Sequence, residues 1–262
     1  MSATHEPEQN RLLRALAREQ RERLYPHLEL VALPLGRVLH DAGDVIRHVY
    51  FPVDAIVSLQ YVMEDGCSAE IAVIGREGIV GIAAFMGGET SSSRAVVQSA
   101  GWAFRLATRR VLDEFHRYGR LHDVLLRYTQ SLLTQAAQTA ACNRHHTVDQ
   151  QLCRLLLMSD DRLPSSHLAM TQERIASLLG VRREGITEAA GKLQKRGIIK
   201  YRRGHITILD RPALERLCCE CYSVVRQECD RLTGEDLPAD NPMVLPSHHR
   251  PAAPPPSLAW AR

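Results

Sequence analysis

Gly180 stands between two short apolar runs at helical spacing, directly before a pair of arginines, in the stretch IASLLGVRREGI at 175–186. Each run places its apolar residues on one helical face, which predicts two helices joined by a short turn. Two helices that meet at a steep angle need a small residue on the first, a residue that tolerates positive φ in the turn, and a branched apolar residue on the second. Ala176, Gly180 and Ile186 meet these needs in order. The segment predicts a helix-turn-helix.

The second helix, over about 182–196, has a polar outer face that suits the major groove of DNA. An arginine can donate two hydrogen bonds to guanine, and a glutamate can accept one from the amino group of cytosine. Thr171 is the predicted N-cap of the first helix, and Gly197 is predicted to end the second. An ordinary helical hairpin with a solvated charged face is the alternative. The candidate DNA-contacting residues on the second helix are Arg182, Arg183, Glu184, Thr187, Glu188 and Lys192.

The stretch IIKYRRGHITIL, at 198–209, predicts two short strands around a tight turn. Arg202, Arg203 and His205 would lie near phosphates if these strands form a wing. Segment 170–216 holds eleven Lys and Arg against five Asp and Glu, whereas the net charge of the whole chain is only +3. One basic region in an otherwise mildly acidic chain indicates a polyanion partner for that region alone.

The first hundred residues have a different periodicity. Residues 10–30 predict a short amphipathic helix, from leucines at roughly helical spacing. Residues 57–63 and 69–74 alternate around Asp65-Gly66, which predicts a β-hairpin. Many short strands of this kind are typical of a small antiparallel barrel or jelly roll. Further runs of strand-like residues lie at 49–51, 94–98 and 102–106.

After about residue 110 the pattern becomes helical for some thirty residues. Six positions follow a 4-3-4-3-4 spacing, which is typical of the seam of a two-stranded coiled coil. We interpret them as a dimer seam; a helix that packs on its own barrel is the alternative. The six positions are Leu121, Leu125, Tyr128, Leu132, Gln135 and Thr139.

Together these patterns predict an α+β fold with an N-terminal antiparallel β jelly-roll barrel, a long dimerisation helix and a C-terminal winged helix-turn-helix. The predicted limits are 10–110 for the barrel, 111–144 for the helix and 145–232 for the DNA-binding part. The tail at 233–262 is rich in proline, cannot bury a core, and is expected to be disordered.

The seven cysteines are an odd number without regular spacing, which fits free thiols in a reducing compartment. The longest apolar run, 79–86, is too short to cross a bilayer, and no signal peptide precedes it. We expect a cytoplasmic protein with no membrane partner. Cys218, Cys219, Cys221 and Cys229 crowd one helix, where they could bind a soft metal or sense oxidants. Neighbouring helical positions point apart, so we expect buried thiols and no metal site.

The order of barrel, long helix and winged helix-turn-helix resembles that of the CRP/FNR family of bacterial transcription regulators. The resemblance covers about 10–225, and its most specific part is 171–208. It implies a homodimer whose recognition helices enter successive major grooves of an inverted repeat in double-stranded DNA. The family pattern puts Arg183, Glu184 and Glu188 at base-reading positions, and Thr171 and Gln172 near the DNA backbone. RNA polymerase and a small effector are further candidate partners.

Family members that bind cyclic AMP carry a Gly-Glu pair followed by Arg-Ser-Ala. This chain has Gly81-Ile82 and then Ser93-Arg94-Ala95, so one carboxylate is absent and the Arg-Ser order is inverted. The resemblance therefore implies a degenerate effector domain. Ser93 and Arg94 are the candidate effector contacts, with a surface arginine on a strand as the alternative.

No cofactor is expected, because no cysteine precedes Cys67 where the oxygen-sensing branch of the family carries its iron–sulfur ligands. The chain has no Walker loop, nucleophile elbow or zinc-protease motif, so we do not expect an enzyme. The competing interpretation is a small-ligand or redox-responsive signalling module whose helical domain contacts protein rather than DNA.

Overall fold

The computed structural model describes residues 5–163 and 167–234. From residue 235 onward, the predicted proline-rich tail lies outside the described residues. The chain forms an N-terminal barrel of antiparallel strands, a long helix that lies on the barrel, and a C-terminal helical region with a small sheet of its own. This confirms the predicted α+β class, with jelly-roll barrel, long helix and winged helix-turn-helix. The exact limits predicted for these parts stay a prediction.

The N-terminus contains two short helices, α1 (Arg11–Arg14) and α2 (Arg18–Leu24), where the sequence predicted one. The chain leaves the helical conformation at Ala17, whose backbone is extended. Asn10 caps α1 by accepting hydrogen bonds from two backbone N–H groups, and its amide donates to the carbonyls of Pro52 and Gly78. The expected apolar face is nevertheless buried in the core and consists of Leu12, Leu13, Leu16 and Leu24.

Two antiparallel sheets form the barrel, with strand orders β1-β7-β3 and β2-β6-β4-β5. The predicted hairpin is confirmed as β4 and β5, and its turn contains Gly66 at φ +83°. The edge strand β1 is mostly exposed and β2 has only three residues, so neither has a clear apolar alternation. The strands are β1 (Glu29–Leu33), β2 (Val38–His40), β3 (His48–Pro52), β4 (Ile56–Val62), β5 (Ser68–Ile74), β6 (Arg94–Ser99) and β7 (Gly101–Ala107).

Two helices follow the barrel, α3 (Thr108–Phe115) and α4 (Arg120–His145). They are separated where Tyr118 adopts a positive φ of 55°, just before Gly119, the N-cap of α4. The predicted dimer seam is wrong. All six of its side chains are buried within the protomer, at 8% exposure or less, so they are not available to a partner: Leu121, Leu125, Tyr128, Leu132, Gln135 and Thr139.

The heptad-like spacing arises because α4 packs on its own barrel. Tyr128 lies against Gly78, and the side-chain amide of Gln135 bonds to both the N–H and the C=O of Val73, at 3.2 and 3.1 Å. Nearer its C-terminus, α4 contacts residues beyond the barrel, where the hydroxyl of Thr139 accepts a hydrogen bond from Arg154 at 2.6 Å. A sheet in contact with one helical stripe imposes the same spacing as a partner helix, so the alternative interpretation was the correct one.

The C-terminal region begins with α5, which is capped by Thr147 in a capping box with Gln150. Strands β8, β9 and β10 form one antiparallel sheet in the order β8-β10-β9. The last helix of the described residues, α9, turns back and packs along α4. The elements are α5 (Val148–Asp160), β8 (His167–Ala169), α6 (Gln172–Leu179), α7 (Arg183–Lys195), β9 (Ile199–Arg202), β10 (His205–Ile208), α8 (Arg211–Leu217) and α9 (Glu220–Thr233).

A second apolar core, which also includes Ile56 and Val73 of the barrel, holds these C-terminal elements together. Leu152 and Leu156 of α5 pack with Ile175, Ile186 and Ile206. Within the described ranges, no helix combines the length and apolar character that crossing a membrane requires.

The close contact between α4 and the barrel predicts that one methyl group added at Gly78 lowers the stability of the protein. A Cβ atom at Gly78 would lie 2.5 Å from Cζ of buried Tyr128, so Gly78→Ala should lower the free energy of unfolding by about 1–3 kcal/mol through overpacking. Gly191→Ala is the matched control: its Cβ would have no neighbour within 4 Å, and alanine should stabilise α7 by about 1 kcal/mol. Urea unfolding measures both, and equal stability of the two variants would contradict this account of the contact.

Candidate nucleic-acid interface

The turn between α6 and α7 has the geometry that the sequence predicted. Thr171 caps α6, since its hydroxyl accepts a hydrogen bond from the N–H of Arg174 at 3.2 Å. Gly180 ends α6 in the left-handed conformation, at φ +65°. A Cβ atom at this position would have no neighbour within 4 Å, so glycine is required here for its backbone conformation and not for lack of space. Ala176 and Ile186 are buried at the contact between the helices.

The polar face of α7 is exposed. Arg182 is the N-cap residue of α7, and Gly197, at φ +70°, follows its last turn as predicted. Lys192 pairs with Asp149 and with Glu188, in both cases at 3.0 Å. Exposed ion pairs of this kind contribute about 0–1 kcal/mol, so a nucleic-acid phosphate could replace them at small cost. The predicted DNA-contacting residues of α7 all lie on the exposed or half-buried side: Arg182, Arg183, Glu184, Thr187, Glu188 and Lys192.

Strands β9 and β10 form the predicted wing. Arg203 and Gly204 both have positive φ, at 50° and 79°, as a two-residue type I′ turn requires. Tyr201 anchors the wing by donating from its hydroxyl to the carbonyl of Met170 at 2.9 Å. A Cβ at Gly204 would lie 3.3 Å from Cγ2 of Thr171, so the tip of the wing touches the start of α6. Arg202, Arg203 and His205 are exposed.

An open groove of about 680 Å³ lies between the helix-turn-helix and the wing. It brings together several residues from the sequence prediction, and Gln172 accepts a hydrogen bond from Thr187 across it at 2.8 Å. Arg182, Glu184, Glu188, Lys192, Arg202 and His205 are not among the residues that line it. The groove is lined by Thr171, Gln172, Glu173, Arg183, Thr187, Ala190, Gly191, Gln194, Tyr201, Arg203 and Gly204.

Six residues of this groove were not predicted from the sequence: Glu173, Ala190, Gly191, Gln194, Tyr201 and Gly204. Gly191 lies within α7 and has no packing reason in the protomer, because its Cβ position is open. A glycine inside a helix costs about 1 kcal/mol relative to alanine. Gln194 accepts a hydrogen bond from the N–H of Tyr201 at 2.9 Å, which links α7 to the wing.

The candidate effector residues lie on β6 and just before it. Arg94 forms a two-pronged ion pair with Asp41, at 3.0 and 2.6 Å, which holds the pKa of that carboxyl below its usual value. Ser93 is buried and bonds to the hydroxyl of Ser91 at 3.0 Å. An anion at Arg94 would have to displace Asp41. The structure therefore places Arg94 as a paired surface arginine.

The cysteines differ from the sequence expectation. Cys219 and Cys221 do approach one another, because they lie at the start of α9, and they meet Cys142 and His146 of α4. The expectation that neighbouring positions diverge was wrong at this point, since the chain between α8 and α9 is not helical at Cys218 and Cys219. Cys218 and Cys229 are not part of the group.

The first helix of the helix-turn-helix is docked on the barrel. Arg174 of α6 donates to the carbonyl of Val97 at 2.9 Å, and the hydroxyls of Ser68 and Ser177 lie 3.1 Å apart. Glu70 lies in the same contact and accepts a hydrogen bond from Ser58 at 2.6 Å. Burial raises the pKa of Glu70 to about 7, although Ser58 and nearby arginines oppose the shift.

Two family models match this chain, and they match the two parts that carry the features above. Residues 30–118 match a cyclic nucleotide-binding domain. Residues 150–217 match a Crp-like helix-turn-helix domain. The chain belongs to the CRP/FNR family. It is a transcription regulator of the CRP/FNR type.

Individual relatives are distant in sequence, and the solved structures among them share the fold of this chain. The global nitrogen regulator of Synechococcus elongatus is 22% identical over 198 residues, covering 72% of this chain and 89% of the relative. FixK2 of Bradyrhizobium japonicum aligns with a TM-score of 0.63 at 17% identity, over 73% of this chain and 98% of its own. A CRP/FNR-family regulator from Eubacterium rectale aligns with a TM-score of 0.62 at 17% identity, covering 79% of this chain and 96% of its own.

Glu70 makes the docked arrangement sensitive to pH. A carboxyl with a higher pKa in the folded than in the unfolded chain holds its proton more tightly when folded, so its contribution to stability falls as pH rises from about 4.5 to about 7. Glu70→Gln should therefore raise the unfolding temperature relative to wild type at pH 8 and leave it nearly unchanged at pH 4. Exposed Glu64→Gln is the control. A Glu70→Gln effect of the same size at both pH values would contradict the assignment.

Proposed function

We propose that this regulator acts as a homodimer that binds a specific inverted repeat in double-stranded DNA, with α7 in the major groove. The observation that carries the proposal is the exposed polar face of α7 beside a cationic wing, across one open groove. A B-DNA major groove admits one α-helix, and the wing then lies near the adjacent backbone. The match of residues 150–217 to a Crp-like helix-turn-helix domain supports this proposal.

We assign base reading to the first turns of α7. Arg183, Glu184 and Glu188 are exposed there and offer donors for guanine and acceptors for cytosine. Thr171 and Gln172 lie at the N-terminus of α6, where N–H groups and the helix dipole favour a phosphate. Arg202, Arg203 and His205 of the wing would contact phosphates on the flank.

The homodimer contact that we propose is the outward stripe of α4. Five exposed residues of this stripe repeat the 4-3-4-3 spacing of a coiled coil, on the side of α4 opposite the barrel. Leu133 is 60% exposed and Leu126 is 37% exposed, which is unusual for leucines in the middle of a long helix. Alanines beside them allow two such helices to approach closely. The stripe consists of Leu126, Gln130, Leu133, Ala137 and Ala140.

We propose that the barrel is a degenerate effector domain. Asp41 already accepts hydrogen bonds from the Arg94 guanidinium, which is the group that an anionic ligand would need to contact. A small effector and RNA polymerase remain candidate partners. The competing function, a signalling module whose helical domain contacts protein, predicts that substitutions on α7 leave function intact while Arg94→Ala abolishes it.

Arg183 and Arg202 should affect DNA binding in different ways. Arg183→Ala should lose about 1–3 kcal/mol on the selected site and relax the preference at one base pair, whereas Arg202→Ala should weaken all sequences alike and lower the salt slope by about one. The site is first obtained by in-vitro selection from a random duplex pool. Fluorescence anisotropy across a salt series then measures both affinities.

Exposed Arg18 of α2 is the control for these two variants, since Arg18→Ala lies outside the interface. Equal losses on specific and scrambled duplexes for both interface variants would contradict base reading by Arg183. Full retention of binding by both would contradict the DNA interface itself.

Leu133→Glu should convert the dimer to a monomer, because it places a charge in the middle of the apolar stripe. The affinity for an inverted repeat should fall more than the affinity for a single half-site, since only the dimer binds both halves at once. Light scattering after gel filtration measures the mass. Leu35→Glu, at a barrel leucine that is 51% exposed, is the control. A Leu133→Glu protein that stays dimeric would exclude this stripe as the seam.

A further inference from the structure

Four potential metal ligands from two distant parts of the chain meet where α4 ends and α9 begins. Cys142 lies in the last turn of α4 and His146 is its C-cap residue. Cys219 is the N-cap residue of α9, and Cys221 lies in its first turn. One ligand atom from each residue lies within 4.8 Å of all the others. The three cysteines are buried and His146 is half-buried.

Two of the distances within this group match those of ligands around one tetrahedral ion. The Sγ atoms of Cys142 and Cys219 lie 3.7 Å apart, and Sγ of Cys221 lies 3.4 Å from Nδ1 of His146. Zinc–sulfur bonds of about 2.3 Å and zinc–nitrogen bonds of about 2.0 Å place tetrahedral ligands about 3.8 Å (S to S) and about 3.5 Å (S to N) apart. The remaining ligand atoms lie within 4.8 Å of one another, so side-chain movements of about 1 Å would accommodate the ion.

We propose that Cys142, His146, Cys219 and Cys221 bind one zinc ion. Three thiolates and one imidazole form a recognised zinc donor set. Four protein ligands leave no open position for water or substrate, which is typical of a structural rather than a catalytic site. Soft thiolate ligands disfavour magnesium and calcium, which prefer oxygen.

The surroundings of His146 support this assignment. Nε2 of His146 lies 3.4 Å from a carboxylate oxygen of Glu220, so a proton on Nε2 can be held there while Nδ1 faces the sulfur of Cys221. A carboxylate on the far nitrogen is the usual partner of a metal-bound histidine, because it fixes the tautomer and the orientation of the ring. Gln151 donates to the carbonyl of His146 at 2.9 Å, which holds the backbone of this ligand.

Hydrogen-bond donors and a buried cation near the cysteine sulfur atoms also fit a negatively charged zinc–thiolate site. Gln138 donates from its side-chain amide to Sγ of Cys221 at 3.1 Å. Three thiolates and Zn²⁺ carry a net charge of −1, which a nearby cation would balance. Arg154 is buried at 6% exposure, and within the described ranges its Nε has no hydrogen-bond partner. It donates a hydrogen bond to Thr139, one helical turn before Cys142 on α4. A buried arginine is stabilised by a compensating negative charge nearby.

The proposed site joins the end of the helix that bears the dimer stripe to the last described helix of the chain. His146 is followed directly by Thr147, the N-cap of α5, where the helix-turn-helix region begins. Zinc would therefore fix α9 to α4 at the junction between the two parts of the protein. This inference does not depend on DNA binding, since none of the four ligands lines the groove between the helix-turn-helix and the wing.

Metal content of the full-length protein tests the site. The protein is purified without chelator from zinc-supplemented medium and measured by inductively coupled plasma mass spectrometry. Wild type should contain one zinc per chain, and Cys219→Ser and Cys142→Ser should each reduce this at least tenfold. The matched controls are Cys229→Ser, on the same helix but outside the group, and exposed Cys67→Ser. Both controls should keep wild-type zinc content.

A second measurement uses only the wild-type protein, so its result does not depend on whether the variants fold. The reduced, metal-free protein is titrated with Co²⁺, which should produce the intense visible absorption of a tetrahedral cobalt thiolate at one equivalent, and zinc should displace it. Zinc should also raise the unfolding temperature of the metal-free protein. Wild type without zinc and without this cobalt spectrum would overturn the proposal. So would a Cys142–Cys219 disulfide in metal-free protein purified under anaerobic, non-denaturing conditions.

Discussion

The contact between α4 and the barrel positions everything that follows it in the chain. Tyr128 packs against Gly78 where any larger residue would collide, and Gln135 bonds to the open backbone of Val73 on β5. These contacts fix both the rotation and the height of a 26-residue helix. The rotation determines which side of α4 faces outward, and the height determines where its last turn delivers Cys142 and His146.

This arrangement gives α4 three faces with different partners. One face completes the barrel core, a second contacts α9, and the third carries the exposed leucines at Leu126 and Leu133. The helix-turn-helix is held separately, by α6 against β5 and β6 of the barrel through Arg174 and Ser177. The outward stripe of α4, the groove beside α7 and the cysteine group are therefore all positioned by contacts with the barrel or with α4, although each depends on different residues.

The outcome for the long helix illustrates what periodicity can and cannot decide. A 4-3 repeat indicates that one stripe of a helix is in contact with something, but a sheet and a partner helix impose the same repeat. Here both stripes exist, one set at Leu121 and Leu125 against the barrel and another at Leu126 and Leu133 outward. The choice of inner stripe depends on which side chains fit the barrel, and that fit is a property of residues far away in sequence.

Local chemistry explains what the sequence by itself determined: the helix-turn-helix, its Thr171 cap and Gly180 turn, the wing at Arg203-Gly204 and the β4–β5 hairpin. Each depends on conformational preferences and apolar spacing within a few neighbouring residues. Only the tertiary structure decided which face of α4 is buried, that Arg94 is paired with Asp41, and that Cys219 and Cys221 meet Cys142 and His146. Those contacts join residues fifty or more positions apart, whose distance is set by the packing of whole elements and not by any local preference.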